Sequence, residues 1–344
     1  MKIAIIVNSL QKKGPVIVGV SLALEFEKLG HDVTLFYIKN TKQEINTYNL
    51  NIQKINIIKL LKFDIIHSHS ILPDIINGFI SIFHKEKTIT TIHNNIFTDL
   101  NEYNFFKRII LKYLWLISWF FIKKKVCLTN TLLSQYNTVK FKKSGHWTFI
   151  YNPVNIISNE KISSVDSLNI NKIKDRKKTQ RIAIGTCAVI TKRKGIQYLI
   201  AAANQLKHNF DIYIIGDGNY KNTLEAISHN QKSKNIYFYP STTSPRAYMQ
   251  AFDIYIMPSI SEGFGLAAVE SIFENCTLIC SNIDTFHELF EDKIGYWNIQ
   301  DNYELVNMLD NINITDKESE SKNYFLKKFS PTQIAKKYID EYKK

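Results

Sequence analysis

Residues 258–273 read PSISEGFGLAAVESIF. The run just before them, DIYIM (253–257), is short, apolar and rich in β-branched residues, as a strand buried on both faces should be. Leu266–Phe273 is apolar enough to be a buried helix. A strand that feeds a helix through a glycine turn is one step of a βαβ unit and predicts a parallel α/β sheet. Free backbone N–H groups at the helix start, with the positive end of its dipole, make an anion site, and glycines let a phosphate approach closely. The flanking acids, Glu262 and Glu270, then need donors, which sugar hydroxyls supply. The same letters also spell Gly263-x-Gly265-x-x-Ala268, a dinucleotide fingerprint. That pattern belongs on the first βα turn of a domain, whereas here it follows a late strand.

The strand–helix alternation extends in both directions. IAIIV (3–7), VTLFYI (33–38), DIIH (64–67), TITTI (88–92), VCLT (126–129) and TFIY (148–151) read as strands. Between them lie helical patterns such as Val16–Leu29, ended by Gly30 as a C-cap. A second series comprises 182–187, 211–215, 235–239, 253–257 and 277–281. Both series open alike: KIAIIVNS then KKGP, and RIAIGTCAV then KRKG. The polar stretch 155–180 between them reads as a linker. The expected fold is α/β, two Rossmann-like domains with parallel sheets facing across a cleft, the first over residues 1–160 and the second over 161–325. Near the end, Ser330-Pro331 marks a helix start, and Ile334, Ile339 and Tyr342, with Tyr338 near them, suit its apolar stripe. Ligands of such sheets sit at the carboxyl ends of strands.

A chain of 344 residues is long enough for two domains, and 45% hydrophobic with 22% charged residues is ordinary for a soluble globular protein. The opening MKIAIIVNS reads as a strand and not as a signal peptide. Cys127, Cys187, Cys276 and Cys280 form no CxxC pair and no metal-ligand spacing, so they read as buried or bystander thiols in a reducing cytoplasm. A formal charge of +13 suits nucleic acid, an anionic membrane surface or a phosphate-bearing substrate, and equally a bias toward Lys, Asn and Ile. No nucleic-acid module is visible, so no nucleic-acid partner is expected.

Glu262-Gly-Phe-Gly-Leu-Ala-Ala-Val-Glu270, with Pro258-Ser259 ahead of it, resembles the E-x7-E signature of retaining glycosyltransferases of the GT-B fold, in particular glycosyltransferase family four. The resemblance runs nearly end to end, through FDIIHSHS (63–70), TIHN (91–94), FIYNPVN (149–155), KRKGIQYLIAAANQL (192–206) and IIGDGN (214–219). The final Phe-Ser-Pro segment is similar to the family's helix, here 326–344, that crosses back to the first domain. The resemblance implies transfer of a sugar from a nucleotide diphosphate donor, a UDP-sugar, to a growing glycan acceptor, lipid-linked and at the cell surface. It implies that Glu262 contacts the donor sugar, that the amides of Gly263, Phe264, Gly265 and Leu266 bind sugar and diphosphate, and that Glu270 holds the ribose. Lys194 would neutralise the leaving diphosphate, with Arg193 beside it. His93 would line the reaction centre, and Gly14 would let acceptor and phosphate come close.

The chain departs from the family at Val189, where an arginine is usual, at Lys13-Gly14-Pro15, where two glycines are usual, and at Tyr239-Pro240, where a glycine is usual. Arg193 is the candidate replacement for the arginine. No Asp-x-Asp occurs, and with a lysine and a helix start for the diphosphate neither a metal nor another cofactor is required. His67 and His69 end a buried strand and read as packing residues, the alternative being an acceptor-side role; Asp217 reads as shaping its own turn. Residues 103–125 are aromatic and apolar with basic flanks, too short and interrupted to span a bilayer. They predict a helix packed on the sheet whose aromatic, basic flank, Lys123–Lys125 included, touches anionic lipid, in keeping with a cytoplasmic enzyme peripheral on the inner face of its membrane. A sugar-nucleotide epimerase of the same fold and a non-catalytic sugar-nucleotide-binding subunit remain the alternatives.

Overall fold

The computed structural model describes residues 1–42, 44–96, 100, 104–138, 144–155, 161–206, 209–231, 235–312 and 318–344. The chain divides into two compact units, Met1–Asn155 with Phe329–Lys344, and Ile156–Lys328.

The first unit is built on seven strands: β1 (Lys2–Val7), β2 (Asp32–Tyr37), β3 (Asn51–Lys54), β4 (Ile65–His69), β5 (Thr88–Ile92), β6 (Lys124–Cys127) and β7 (His146–Phe149). They lie in the order β3-β2-β1-β4-β5-β6-β7, every neighbouring pair parallel. The second unit has six: β8 (Ile182–Cys187), β9 (Phe210–Ile215), β10 (Ile236–Tyr239), β11 (Ile254–Met257), β12 (Thr277–Ser281) and β13 (Gly295–Trp297). Their order is β10-β9-β8-β11-β12-β13, again all parallel. Both sheets are therefore Rossmann-like, with the strand order reversing between β1 and β4 in the first and between β8 and β11 in the second. Such reversal points, at the carboxyl ends of the strands, are where open α/β sheets hold ligands. The central strands are buried on both faces, which is why they read as continuous apolar runs.

The terminal helix Pro331–Lys343 belongs to the first unit. Ser330 caps it, and Ile334, Tyr338, Ile339 and Tyr342 are buried. It packs on the helix Gly14–Lys28 through Phe26 and Tyr342, and through a bond from Thr332 Oγ1 to Glu25. All four cysteines are buried as thiols.

Three sequence readings change. Residues 156–160 of the expected linker lie outside the described residues, but Ser164–Lys177 is a helix. Ser163 accepts from the Asp166 amide as its cap, and Ile170 and Ile173 are buried; two apolar anchors suffice where the other face is solvated. Strands β3 and β13 had no apolar signal because both are short edge strands. Strand β6 begins two residues earlier than expected, so Lys124 and Lys125 are buried, Lys124 donating to the Glu341 carbonyl and Lys125 to the Ser144 carbonyl, each at 2.6 Å.

Candidate active site

In the second unit, the loops that follow β8 and β11 meet where the strand order reverses. Gly195 ends the short turn Lys192–Lys194 in a left-handed conformation, φ +67°. A Cβ there would overlap the Pro258 carbonyl oxygen, so glycine lets the two loops touch. The Ile260 amide then donates to the Arg193 carbonyl at 2.8 Å, fastening one loop to the other.

That contact brings three charged side chains together. Lys194 Nζ lies 2.6 Å from Glu262 Oε1, and Arg193 Nη1 lies 3.4 Å from Oε2. Arg193 also donates to the Ser261 carbonyl at 2.6 Å, and Ser259 Oγ donates to Glu262 Oε1 at 2.7 Å. The Glu262 side chain is 6% exposed. Burial would raise its carboxyl, but Lys194 and Arg193 outweigh burial and hold it below the usual carboxylate range. Two cations on one carboxylate leave a net positive charge beside the glycine turn. Gly265 sits in the left-handed region (φ +91°) at the N-terminal end of the helix Leu266–Phe273, so the helix dipole adds to that charge. Phe264 is buried, while Leu266 and Glu270 are partly exposed. Burial above all raises the hydroxyl pKa of Tyr255, which is bonded to the backbone of Cys187 at the end of β8, and Glu270 adds to the rise.

Val189, where the family pattern places an arginine, is 65% exposed. Arg193 instead stands inside the cluster. Asp217 caps its own turn, its carboxylate accepting from the Gly218 amide at 2.8 Å. Ser259 has no motif to mark it in the sequence; its one signal is its place three residues before a buried acid, which its hydroxyl reaches.

In the first unit, Gly14 opens the helix after β1, and the β4–β5 register sets His69 beside Thr91, so that His93 lies just past the end of β5. His67 is bonded on both ring nitrogens, Nδ1 to the Tyr342 hydroxyl and Nε2 to Thr91 Oγ1, each at 2.7 Å. It is a packed histidine. His69 Nδ1 meets His93 Nε2 at 3.0 Å. Burial pushes all three imidazoles down, His67 and His93 to about 3 and His69 well below its ordinary value. All three are therefore neutral at pH 7.

The aromatic helix runs Phe105–Phe121, and its neighbour is the helix Ile71–His84. Gly78 of one backs against Ser118 of the other, where a Cβ would leave too little room. Trp115 and Trp119 do not face outward. Both indoles donate to buried Asp74 Oδ2, at 2.6 and 2.9 Å, while Ser68 and Thr90 donate to Oδ1, each at 2.6 Å. The outer face instead carries Phe106 (78% exposed), Ile110, Tyr113, Leu114 and Ile117, with Phe79, Ile82 and Phe83 exposed on the neighbouring helix. The expectation that Lys123–Lys125 meet lipid is overturned for Lys124 and Lys125, which are buried, and Lys123 is paired with Glu86. Among the described residues no helix is long and apolar enough to cross a membrane, and no group of three or more His, Cys, Asp or Glu could hold a metal ion.

Residues 169–321 match the family model described as Glycosyl transferases group 1. Over 99% of this chain and 98% of the relative, the sequence is 30% identical to the O-antigen biosynthesis glycosyltransferase WclY of Escherichia coli. It is 24% identical to the capsular polysaccharide biosynthesis glycosyltransferase CapH of Staphylococcus aureus, over 75% of this chain and 69% of that one. Among solved structures, Anabaena Alr3699/HepE in complex with UDP and glucose superposes with a TM-score of 0.79 at 14% identity, covering 99% of each chain.

Proposed function

Because the chain belongs to the group 1 glycosyl transferases, we propose that it transfers a sugar from a nucleotide diphosphate donor, a UDP-sugar, to a growing surface polysaccharide on a lipid carrier. The observation that carries this reading is the pairing of Lys194 and Arg193 with Glu262 beside the glycine turn at the strand-order reversal. Excess positive charge beside a helix N-terminus suits a diphosphate, and a carboxylate within hydrogen-bond reach of the two cations suits a sugar hydroxyl. The names of the relatives, O-antigen and capsular polysaccharide enzymes, and of the neighbour with UDP and glucose, support the substrate class.

In this reading the diphosphate lies on the amides of Gly263–Leu266, with Lys194 and Arg193 taking up the charge that develops as the bond from the sugar to phosphate breaks. Glu262 orients the sugar, Glu270 the ribose, and His93 lines the reaction centre. The acceptor hydroxyl attacks from the face that the diphosphate leaves, so the anomeric configuration is retained, and its proton passes to the departing phosphate oxygen. The two cations and the helix start supply the positive charge that a metal ion would otherwise bring. The acceptor's carrier would lie in an anionic membrane, met by the exposed apolar face of the helix Phe105–Phe121.

The test is a transfer assay with UDP-sugars and lipid-linked acceptors. Transfer that is lost in Glu262→Ala supports the reading. Full activity of that variant sinks the site assignment, and donor conversion without transfer points to an epimerase.

A further inference from the structure

His69 is fully buried, and among the described residues its ring makes one hydrogen bond, between Nδ1 and His93 Nε2 at 3.0 Å, while its Nε2 is buried without a partner. Its ring lies against His67, centroids 4.4 Å apart, but both His67 nitrogens are already taken by Tyr342 and Thr91. His93 is part-exposed, and the bond to His69 is its only one among the described residues.

A neutral imidazole carries one proton, and which nitrogen holds it is set by the partner of the other. Two arrangements satisfy the contact. If His93 donated from Nε2, His69 would carry its proton on Nε2, leaving a buried N–H with no acceptor among the described residues. Orphaned buried N–H groups are the rarest kind of unmade hydrogen bond. If His69 donates from Nδ1, its one proton lies in the bond, and only a lone pair is left unmatched. The second arrangement forces His93 to accept at Nε2 and to carry its own proton on Nδ1.

We propose that His69 is a positioning residue that fixes His93 as the Nδ1–H tautomer, so that the nitrogen His93 offers to a ligand is a hydrogen-bond donor. The proposal rests on the reading of His93 as lining the reaction centre. It assigns His93 a sugar oxygen as its target, and it denies His93 the role of general base, because its one lone pair is engaged by His69 and its free nitrogen holds a proton.

The primary test is long-range ¹H–¹⁵N correlation spectroscopy of histidine-labelled protein at pH 7, with the two rings assigned from the spectra of His69→Asn and His93→Ala. The expected result is a protonated Nδ1 and an unprotonated Nε2 for His93; the reverse pattern overturns the proposal. Kinetics add a second readout. Asn places an amide N–H near the position of Nδ1, so His69→Asn should keep most of the turnover, while His69→Leu should lower kcat about tenfold, the equivalent of one neutral hydrogen bond, with little change in the donor KM. Equal loss in both variants counts against positioning. The two failures separate cleanly: an Nδ1–H tautomer with a fully active His93→Ala refutes the site reading, and an Nε2–H tautomer with an inactive His93→Ala refutes the tautomer assignment alone.

Discussion

Lys194 Nζ and Glu262 Oε1 are 2.6 Å apart although 68 residues separate them in the chain, and Gly195 is what allows the approach. The same lysine is asked to balance a buried acid and, in the proposed reaction, a leaving diphosphate. Lys194→Ala should therefore lower transfer by about 100-fold, the usual loss for one donor aimed at developing charge. It should also lower stability by about 1–3 kcal/mol, because among the described residues Glu262 then keeps Arg193 and Ser259 as its side-chain partners. Lys194→Arg should restore most of the stability and little of the rate. Thermal unfolding and initial rates, measured on the same preparations, check both halves.

Gly195→Ala should be among the costliest single-methyl additions in the chain. The left-handed φ strains any residue with a Cβ, and the methyl group would overlap the Pro258 carbonyl oxygen. The two loops must then part, separating Lys194 from Glu262. The expected loss is about 2–4 kcal/mol of stability together with nearly all transfer. An active, stable Gly195→Ala would mean that the loop contact is not what holds the cluster.

The buried histidines make a pH prediction. His67 and His93 titrate at about 3 in the folded chain and His69 well below its ordinary value, against about 6.5 when unfolded. Between those limits the unfolded state binds more protons than the folded one, so stability rises with pH there. The contribution is complete above pH 6.5 and is lost as the pH falls towards about 3, at up to roughly 1.4 kcal/mol per pH unit for each ring. The loss should show as a melting temperature that drops below pH 6.5. His67→Gln, which removes one of the three protons, should flatten that drop; an unchanged slope would argue that His67 is hydrated in solution.

The strands and glycine turns were legible because their signal is local. A strand buried on both faces is an uninterrupted apolar run, and Glu262, Gly265 and Glu270 sit at fixed distances within one turn. What was not legible depends on distant partners. Asp74 draws Trp115 and Trp119 inward across 41 and 45 residues, and without that carboxylate two tryptophans beside lysines look like interface anchors. Lys124 and Lys125 look like a basic flank, yet strand β6, paired on both sides, and the carbonyls of the terminal helix and of Ser144 take them in. The His69–His93 contact likewise needs the β4–β5 register, which no spacing in the sequence supplies.

Those inward tryptophans redirect the membrane test. Phe106, Ile110, Tyr113 and Ile117 recur at helical spacing on the outer face of the helix Phe105–Phe121 and contribute nothing to the core clusters that hold Trp115 and Trp119. Burying such a side chain fully is worth about 1.5–3 kcal/mol, so each one removed should weaken association with anionic vesicles by about tenfold or more. Phe106→Ser combined with Ile110→Ser should abolish vesicle sedimentation at low salt, with the melting temperature unchanged. Transfer to a short water-soluble acceptor should persist, and transfer to a lipid-linked one should fall. Vesicle binding that survives this double change, or that never occurs in the unaltered protein, would leave the exposed face without a lipid role. A melting temperature that falls would instead mean that these residues are covered by the protein itself.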